Sequence, residues 1–181
     1  MIILSDTREQ VELDFSGIEG VEKVEKLGLA YGDYTALIHG KPVLVVFERK
    51  GFSDLWGTMT KGHDRFKREM ERAKADGVKL ILIIEGSYSD VWAGFDRSAF
   101  SGQAMLKKLA MLYTKYDLEY IFCESRRVMA RRICDTFHAI ERNYGVGFPL
   151  TCSLETPLLV PKKESDFYKV LDKDELDTQQ K

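Results

Sequence analysis

Cysteine is scarce: only Cys123, Cys134 and Cys152 occur in 181 residues, and no two form a C-x-x-C pair. An odd, scattered set argues against a disulfide framework and predicts a reducing compartment, hence an intracellular location, cytoplasmic or, in a eukaryote, nuclear. The three histidines, His39, His63 and His138, lack metal-ligand spacing, so the cysteines complete no zinc site. No run of about 18 apolar residues occurs, and no membrane span is expected. The opening MIILSDTREQ meets charge at once and has no basic segment before its apolar residues, unlike a signal peptide. Missing too are a Walker A loop, a G-x-G-x-x-G after a strand and a G-x-S-x-G, which argues against an ATPase motor, a dinucleotide enzyme and an α/β-hydrolase. Charge of one sign is not in excess either. With a formal net charge of -2, any polyanion site must be a local patch.

What is present is enough for a core: 44% of residues are hydrophobic and 31% charged. One domain is expected over residues 1–150. Residues 151–181, with Pro157, Pro161 and a charged run, read as a tail or extended arm. Ile2-Ile3-Leu4 reads as a first buried strand and residues 21–31 as a partly alternating second segment. Tyr34 to Ile38 and Val43 to Lys50 read as two strands joined through His39-Gly40-Lys41-Pro42, a hairpin signal. Residues 63–76 are rich in helix formers and stop at Gly77. Val78 to Ile84 is the most apolar run and reads as a central strand covered on both faces. Helical spacing recurs over 101–116 (Met105, Leu109, Leu112, Tyr116) and 125–143 (Met129, Ile133, Phe137, Ile140), with a short strand, Leu118 to Cys123, between them. A meander followed by alternating strands and helices predicts an α/β protein with a mixed central sheet flanked by helices. The segment 86–98, with Tyr88, Trp92 and Phe95, reads as an aromatic-rich loop to which the sequence assigns no role.

The chemistry concentrates in VFERKGFSD, residues 46–54. Strand alternation puts Glu48 and Lys50 on one face and Arg49 on the other. A carboxylate can hold a hard divalent cation through oxygen. An adjacent ammonium can orient a water and offset charge growing on a phosphate. A second acid, Asp33 of Gly32-Asp33-Tyr34, falls near the same end of the hairpin, and a third, Asp6, closes the first strand. Taken singly these are ordinary features. An E-x-K on a strand is usually an exposed ion pair, a GD pair is usually a turn, and Asp6-Thr7-Arg8-Glu9 has the form of a helix capping box. Their co-occurrence at these spacings is what singles them out.

Asp6-Thr7-Arg8-Glu9 after a strand, then Gly32-Asp33-Tyr34, then Glu48-Arg49-Lys50-x-x-x-Asp54 resembles the ERCC4 (XPF-type) nuclease domain. The likeness continues through Arg65-Phe66 and Glu69, where the family often has Gln, and through Glu85-Gly86, to about residue 145. It implies a restriction-endonuclease-like core and cleavage of branched or flap DNA dependent on Mg²⁺ or Mn²⁺, in recombination or repair. Asp33 and Glu48 would be the metal ligands and Lys50 would position or activate the water. Asp6 and Arg8 would support the site, and Arg49 and Asp54 complete the motif, Asp54 as a cap of the next helix or a partner of Arg49 or Lys50. Arg65 would contact a phosphate or brace the site, and the basic cluster Lys61, His63, Arg65, Lys67 and Arg68 beside the motif would raise affinity for phosphates. The resemblance also implies a homodimer through the last two helices. The tandem helix-hairpin-helix module of larger relatives is not expected after residue 145, so DNA binding falls to the nuclease face or to a separate DNA-binding or helicase partner.

Two other readings compete. One is a catalytically silent ERCC4-like domain that binds DNA or dimerises; an inactive copy usually loses an acid or the lysine, and here Asp33, Glu48 and Lys50 are all present. The other is a Holliday-junction-resolvase-like nuclease, which shares the acid-acid-x-Lys logic but not the Glu-Arg-Lys triplet followed by Asp54. On the last helix, Arg126, Arg127, Arg131 and Arg132 read as a solvated face in preference to a phosphate-binding patch.

Overall fold

The computed structural model describes residues 1–143 and Leu158. Its strands are β1 (Ile2–Asp6), β2 (Lys23–Leu27), β3 (Tyr34–Ile38), β4 (Lys41–Pro42), β5 (Val45–Lys50), β6 (Lys79–Glu85) and β7 (Glu119–Cys123). The helices are α1 (Phe52–Met59), α2 (His63–Ala75), α3 (Tyr88–Ala93), α4 (Gly102–Tyr116) and α5 (Arg126–Arg142). The seven strands form one sheet in the order β2-β1-β3-β5-β6-β7, with β4 paired to β3. β1 runs parallel to β2, and β5, β6 and β7 run parallel to one another. β3 alone is antiparallel to both its main neighbours, β1 and β5. This mixed topology brings the C-terminal ends of β1, β5 and β6 and the N-terminal end of β3 to one edge.

Side-chain alternation divides the core into two layers. On one face Leu4, Leu37, Val46, Leu82 and Ile84 pack under α1, α2 and α4. On the other, Ile3, Tyr34, Phe47, Ile81 and Ile83 pack under α5. β6 is apolar on both faces because helices cover both, as its unbroken VKLILII run predicts. The edge strand β2 carries Lys23, Glu25 and Lys26, which discourages pairing with another chain.

The expected mixed sheet flanked by helices is what forms, with local differences. The first half is not a meander, because β2 returns parallel to β1 on its outer side. The hairpin turn is tighter than residues 39–42: His39 and Gly40 both take positive φ (51° and 71°), and Lys41–Pro42 already pairs with β3. β3 and β5 share only the register pair Tyr34–Phe47. Beyond it the Thr35 hydroxyl lies 3.0 Å and 2.9 Å from the carbonyl oxygens of Val43 and Val45, replacing ladder bonds with a side-chain bridge. Two helices escaped the sequence reading, α1 and α3, both too short for a periodic apolar signal to accumulate. Met129, Ile133 and Phe137 are 0% exposed, as are Met105, Leu109 and Leu112. The two helical stripes therefore fill the core of a single chain, from opposite faces of the sheet, while Met111 and Tyr113 of α4 and Val128 of α5 remain exposed on the outer faces of the last two helices. The expected tail, residues 151–181, lies outside the described residues except for Leu158. That leucine is buried, and its carbonyl accepts a 2.8 Å hydrogen bond from the Ala30 N–H.

Candidate active site

The shared sheet edge gathers the acids. Gly32 sits at φ 61°, and a Cβ there would lie 2.4 Å from Val46 Cγ1 and 2.9 Å from the Phe47 carbonyl oxygen. Only glycine lets β3 begin this close to β5. The N–H of Asp33 then bonds the Phe47 carbonyl at 2.8 Å, and the Asp33 carbonyl accepts from the Asp6 N–H at 2.8 Å. Asp33 is thus tied by its backbone to both neighbouring strands. Its side chain is tied as well: Oδ2 accepts the Arg49 N–H at 2.7 Å.

Glu48, 8% exposed, occupies the same sheet face as Val46, and its Oε1 accepts a hydrogen bond from the Lys50 ammonium. Burial, then the charge of Glu48, pushes the Asp33 carboxyl up to about 8. Burial also raises Glu48, against the opposing pull of Lys50. Burial alone would lower Lys50, but Glu48, Asp33 and Glu69 outweigh it and keep the ammonium charged. The buried Glu48 and half-buried Asp33 thus share Lys50, with Glu69 adding a further acid and Arg8, already paired to Asp6, a second cation, an arrangement short of positive charge. Asp33 Oδ1 and Glu48 Oε2 carry no protein hydrogen bond among the described residues. Free carboxylate oxygens in a site that lacks positive charge fit a hard divalent cation. Among the described residues no three His, Cys, Asp or Glu side chains converge as a ready cage. The donors are a pair, which suits an ion that keeps several of its waters.

Asp6 has a different environment. It is fully buried, and both oxygens are committed: Oδ1 to the Arg8 N–H and Nε at 2.7 Å each, Oδ2 to the Leu29 N–H at 2.7 Å and Arg8 Nη2 at 3.0 Å. Burial would raise this carboxyl, but those donors hold it below the usual carboxylate range. Asp6 therefore fixes Arg8. Arg8 Nη2 also reaches the Leu29 carbonyl at 2.9 Å, while Nη1 has no protein partner among the described residues. The D-T-R-E segment forms a turn closed by a 3.0 Å bond from the Glu9 N–H to the Asp6 carbonyl, so the alternative reading of it as a helix cap does not hold.

Arg49 occupies the opposite sheet face, as alternation requires. Its guanidinium clamps Glu9 through two 3.2 Å bonds, with side-chain exposures of 11% and 7%. Glu85 lies 4.0 Å from Arg49 and 3.6 Å from Arg126, linking β5, β6 and α5. Nothing in the sequence but the outward side of Arg49 marks Glu9 and Glu85 as its partners. Asp54 lies in the first turn of α1 on an exposed position. The cap there is Gly51, and Asp54 neither caps the helix nor pairs with Arg49 or Lys50. Glu69 of α2 approaches from above, its Oε1 3.4 Å from the Gly32 N–H.

An open cleft of about 1030 Å³ runs along the edge, lined by Arg8, Asp33, Arg49, Lys50, Asp54 and Arg126 among others. Lys61, Arg65 and Arg68 are exposed but belong to the α1–α2 turn and α2, and none lines the cleft. Arg127 pairs instead with Asp14 at 3.9 Å.

A mixed sheet with helices on both faces and paired acids at its strand ends is a restriction-endonuclease-like fold. Two solved structures share it, XPF from Aeropyrum pernix and XPF from Aeropyrum pernix in complex with DNA. The first superposes with a TM-score of 0.59 at 19% identity, covering 81% of this chain and 68% of that one. The second gives 0.56 at 19% identity, covering 78% and 65%. Among curated proteins none matches. The ERCC4 domain matches residues 5–136, and the chain belongs to that family.

Proposed function

We propose that the protein is a divalent-metal-dependent DNA endonuclease that hydrolyses phosphodiester bonds in branched DNA, such as flaps, forks or junctions, in recombination or repair. The observation that carries this reading is the pair of buried Glu48 and half-buried Asp33 beside Lys50, with one uncommitted oxygen on each acid. Membership of the ERCC4 family supports it.

Asp33 and Glu48 would hold Mg²⁺ or Mn²⁺. The ion, when bound, supplies charge for the phosphate and lowers the pKa of a coordinated water. Lys50, kept charged by Glu48, stands where it can orient that water and offset charge on the phosphate. Arg8, held by Asp6, offers Nη1 to a phosphate oxygen. Arg49 acts by holding Glu9 and the strand end in place, and its own N–H orients Asp33. The cleft lining contains more acids than bases, so binding strength must come from outside it. Lys61, Arg65 and Arg68, or a separate DNA-binding or helicase partner, would supply it.

The test is a gel with duplex, 3′-flap, fork and four-way-junction DNA, in Mg²⁺, Mn²⁺ or EDTA. Cleavage of a branched substrate with either metal and none in EDTA is expected. If the intact protein binds branched DNA yet cuts nothing in any metal, it is a silent partner and the enzyme reading fails.

A further inference from the structure

The aromatic segment after β6 is absorbed neither by the core nor by the acid site. α3 presents Tyr88 and Trp92 at 55% and 54% exposure, the two most exposed large apolar side chains among the described residues. Their rings lie nearly parallel, 17° apart with centroids at 6.5 Å, one helical turn apart on one face. Tyr88 is held edge-on by Phe122 of β7 at 6.1 Å. Beside Trp92 lies a shallow cavity of about 470 Å³ walled by Phe95, Phe100 and Gln103. Two large rings set side by side in solvent need an account, because each leaves apolar area in water.

The helix that carries them is unusually well anchored for its length. Ser87 and Asp90 close a capping box at its start. At its end α4 packs so near that a Cβ on Gly102 would lie 2.0 Å from the Val91 carbonyl oxygen. Phe95 packs on Phe52 and Trp56 at 6.0 Å and 5.6 Å, tying the segment to α1. A rigid support is what a stacking surface requires, since flexible rings lose entropy on binding.

Position identifies the occupant. Asp90 and Ala93 of the same helix, with Gly94 and Phe95, form a wall of the cleft that holds Asp33 and Lys50. Tyr88 and Trp92 do not themselves line that cleft, but the cavity beside Trp92 shares Ala93, Gly94 and Phe95 with it, so the aromatic face adjoins the candidate active site. The wall itself is poor in cations, so it is not built to follow a duplex backbone by charge. Every nucleobase has a π face, whereas bases inside a duplex are already stacked and present only their edges. We propose that Tyr88 and Trp92 form a stacking platform for unpaired bases, so that the site takes the single-stranded arm of a branched nucleic acid along α3. This rests on the nuclease reading for the cleft but makes a separate claim about binding.

The chain offers its own probe. It has two tryptophans, and Trp56 is 2% exposed, so emission changes on ligand contact report Trp92. Oligo(dT), a 3′-flap and a blunt duplex would each be titrated into the full chain in EDTA, following intrinsic fluorescence and, separately, anisotropy of labelled DNA. Oligo(dT) and the flap should quench the emission and the duplex should not. Y88A/W92A should bind oligo(dT) about 10-fold more weakly or worse, with duplex affinity unchanged, and W92F should recover most of the loss. Equal quenching by duplex, no binding of oligo(dT), or wild-type affinity in Y88A/W92A would each overturn the platform. So would a change in sedimentation of Y88A/W92A without a change in DNA binding, which would mark the rings as a protein contact. Because EDTA removes any need for cleavage, the outcome is independent of catalysis. Cleavage by wild-type protein with a failed platform, or quenching without cleavage, tells the two claims apart.

Discussion

Asp33 is the residue whose surroundings conflict most with its ordinary chemistry, and the conflict is testable without DNA. Its carboxyl is raised to about 8 by burial and by Glu48. Between the unfolded value of 3.8 and about 8 the folded chain therefore binds more protons than the unfolded one, and stability must fall as pH rises through that window. In EDTA, the wild-type protein should melt lower at pH 9 than at pH 6. D33N should show a smaller decline, since burial still raises Glu48, and should melt above wild type at pH 9, because a neutral amide replaces a half-buried anion. Thermal melts at both values decide it; a D33N protein less stable than wild type at pH 9 would contradict the assignment. Arg49 gives the complementary case. Removing it leaves Glu9, whose side chain is 7% exposed, without its cation and with the Val11 N–H as its remaining donor, so R49A should lose about 3–5 kcal/mol in urea unfolding. E9Q/R49M should recover part of it. A loss near zero in R49A would place Arg49 in solution rather than in the Glu9 clamp.

At this scale the sequence was informative about chemistry and poor about partners. Alternation alone separated Arg49 from Glu48 and Lys50, and the structure keeps them on opposite faces. The pairing of Asp33 with Glu48 was legible because a hairpin converts sequence distance into proximity. The Asp6 environment was not legible. Nothing local predicts that all its acceptor capacity is taken by Arg8 and the Leu29 N–H, since Leu29 arrives from the far side of a parallel crossover.

At the scale of elements, the site depends on how β3 meets β5. With one register pair between them, the Thr35 hydroxyl holds the strands where the ladder is interrupted. T35V keeps the shape and removes the donor, leaving buried carbonyls without it. The expected cost is about 1–3 kcal/mol in unfolding free energy. Any cleavage activity should fall with it, because Asp33 and Glu48 ride on the two strands. Unfolding unchanged by T35V would mean the bridge is not holding them. Long periodic helices and the apolar β6 were legible here because their signals repeat. α1 and α3 were not, having 8 and 6 residues and being fixed by tertiary contacts such as Phe52 on Trp56 at 4.9 Å.

For the whole molecule, the burial of the helical stripes bears on which faces a second copy could use. Helical stripes such as Met129, Ile133 and Phe137 look the same in sequence whether they face a sheet or a second chain. The structure buries them under the sheet. F137A should therefore lower the melting temperature by the same amount at micromolar and at tenfold higher protein concentration, losing about 3–5 kcal/mol. A concentration-dependent melt restored at high protein would instead point to an interface. Any dimer must use surfaces other than these stripes.

Asp33 and Glu48 are proposed to hold a divalent cation beside Lys50 for phosphodiester hydrolysis. The most direct test is the single-turnover cleavage rate of a 3′-flap substrate against Mg²⁺ concentration, for wild type, E48Q and K50M. The wild-type rate should rise from zero and saturate, while both variants stay at least about 100-fold lower at every concentration. A rate that does not depend on Mg²⁺, or that K50M and E48Q share with wild type, would contradict it.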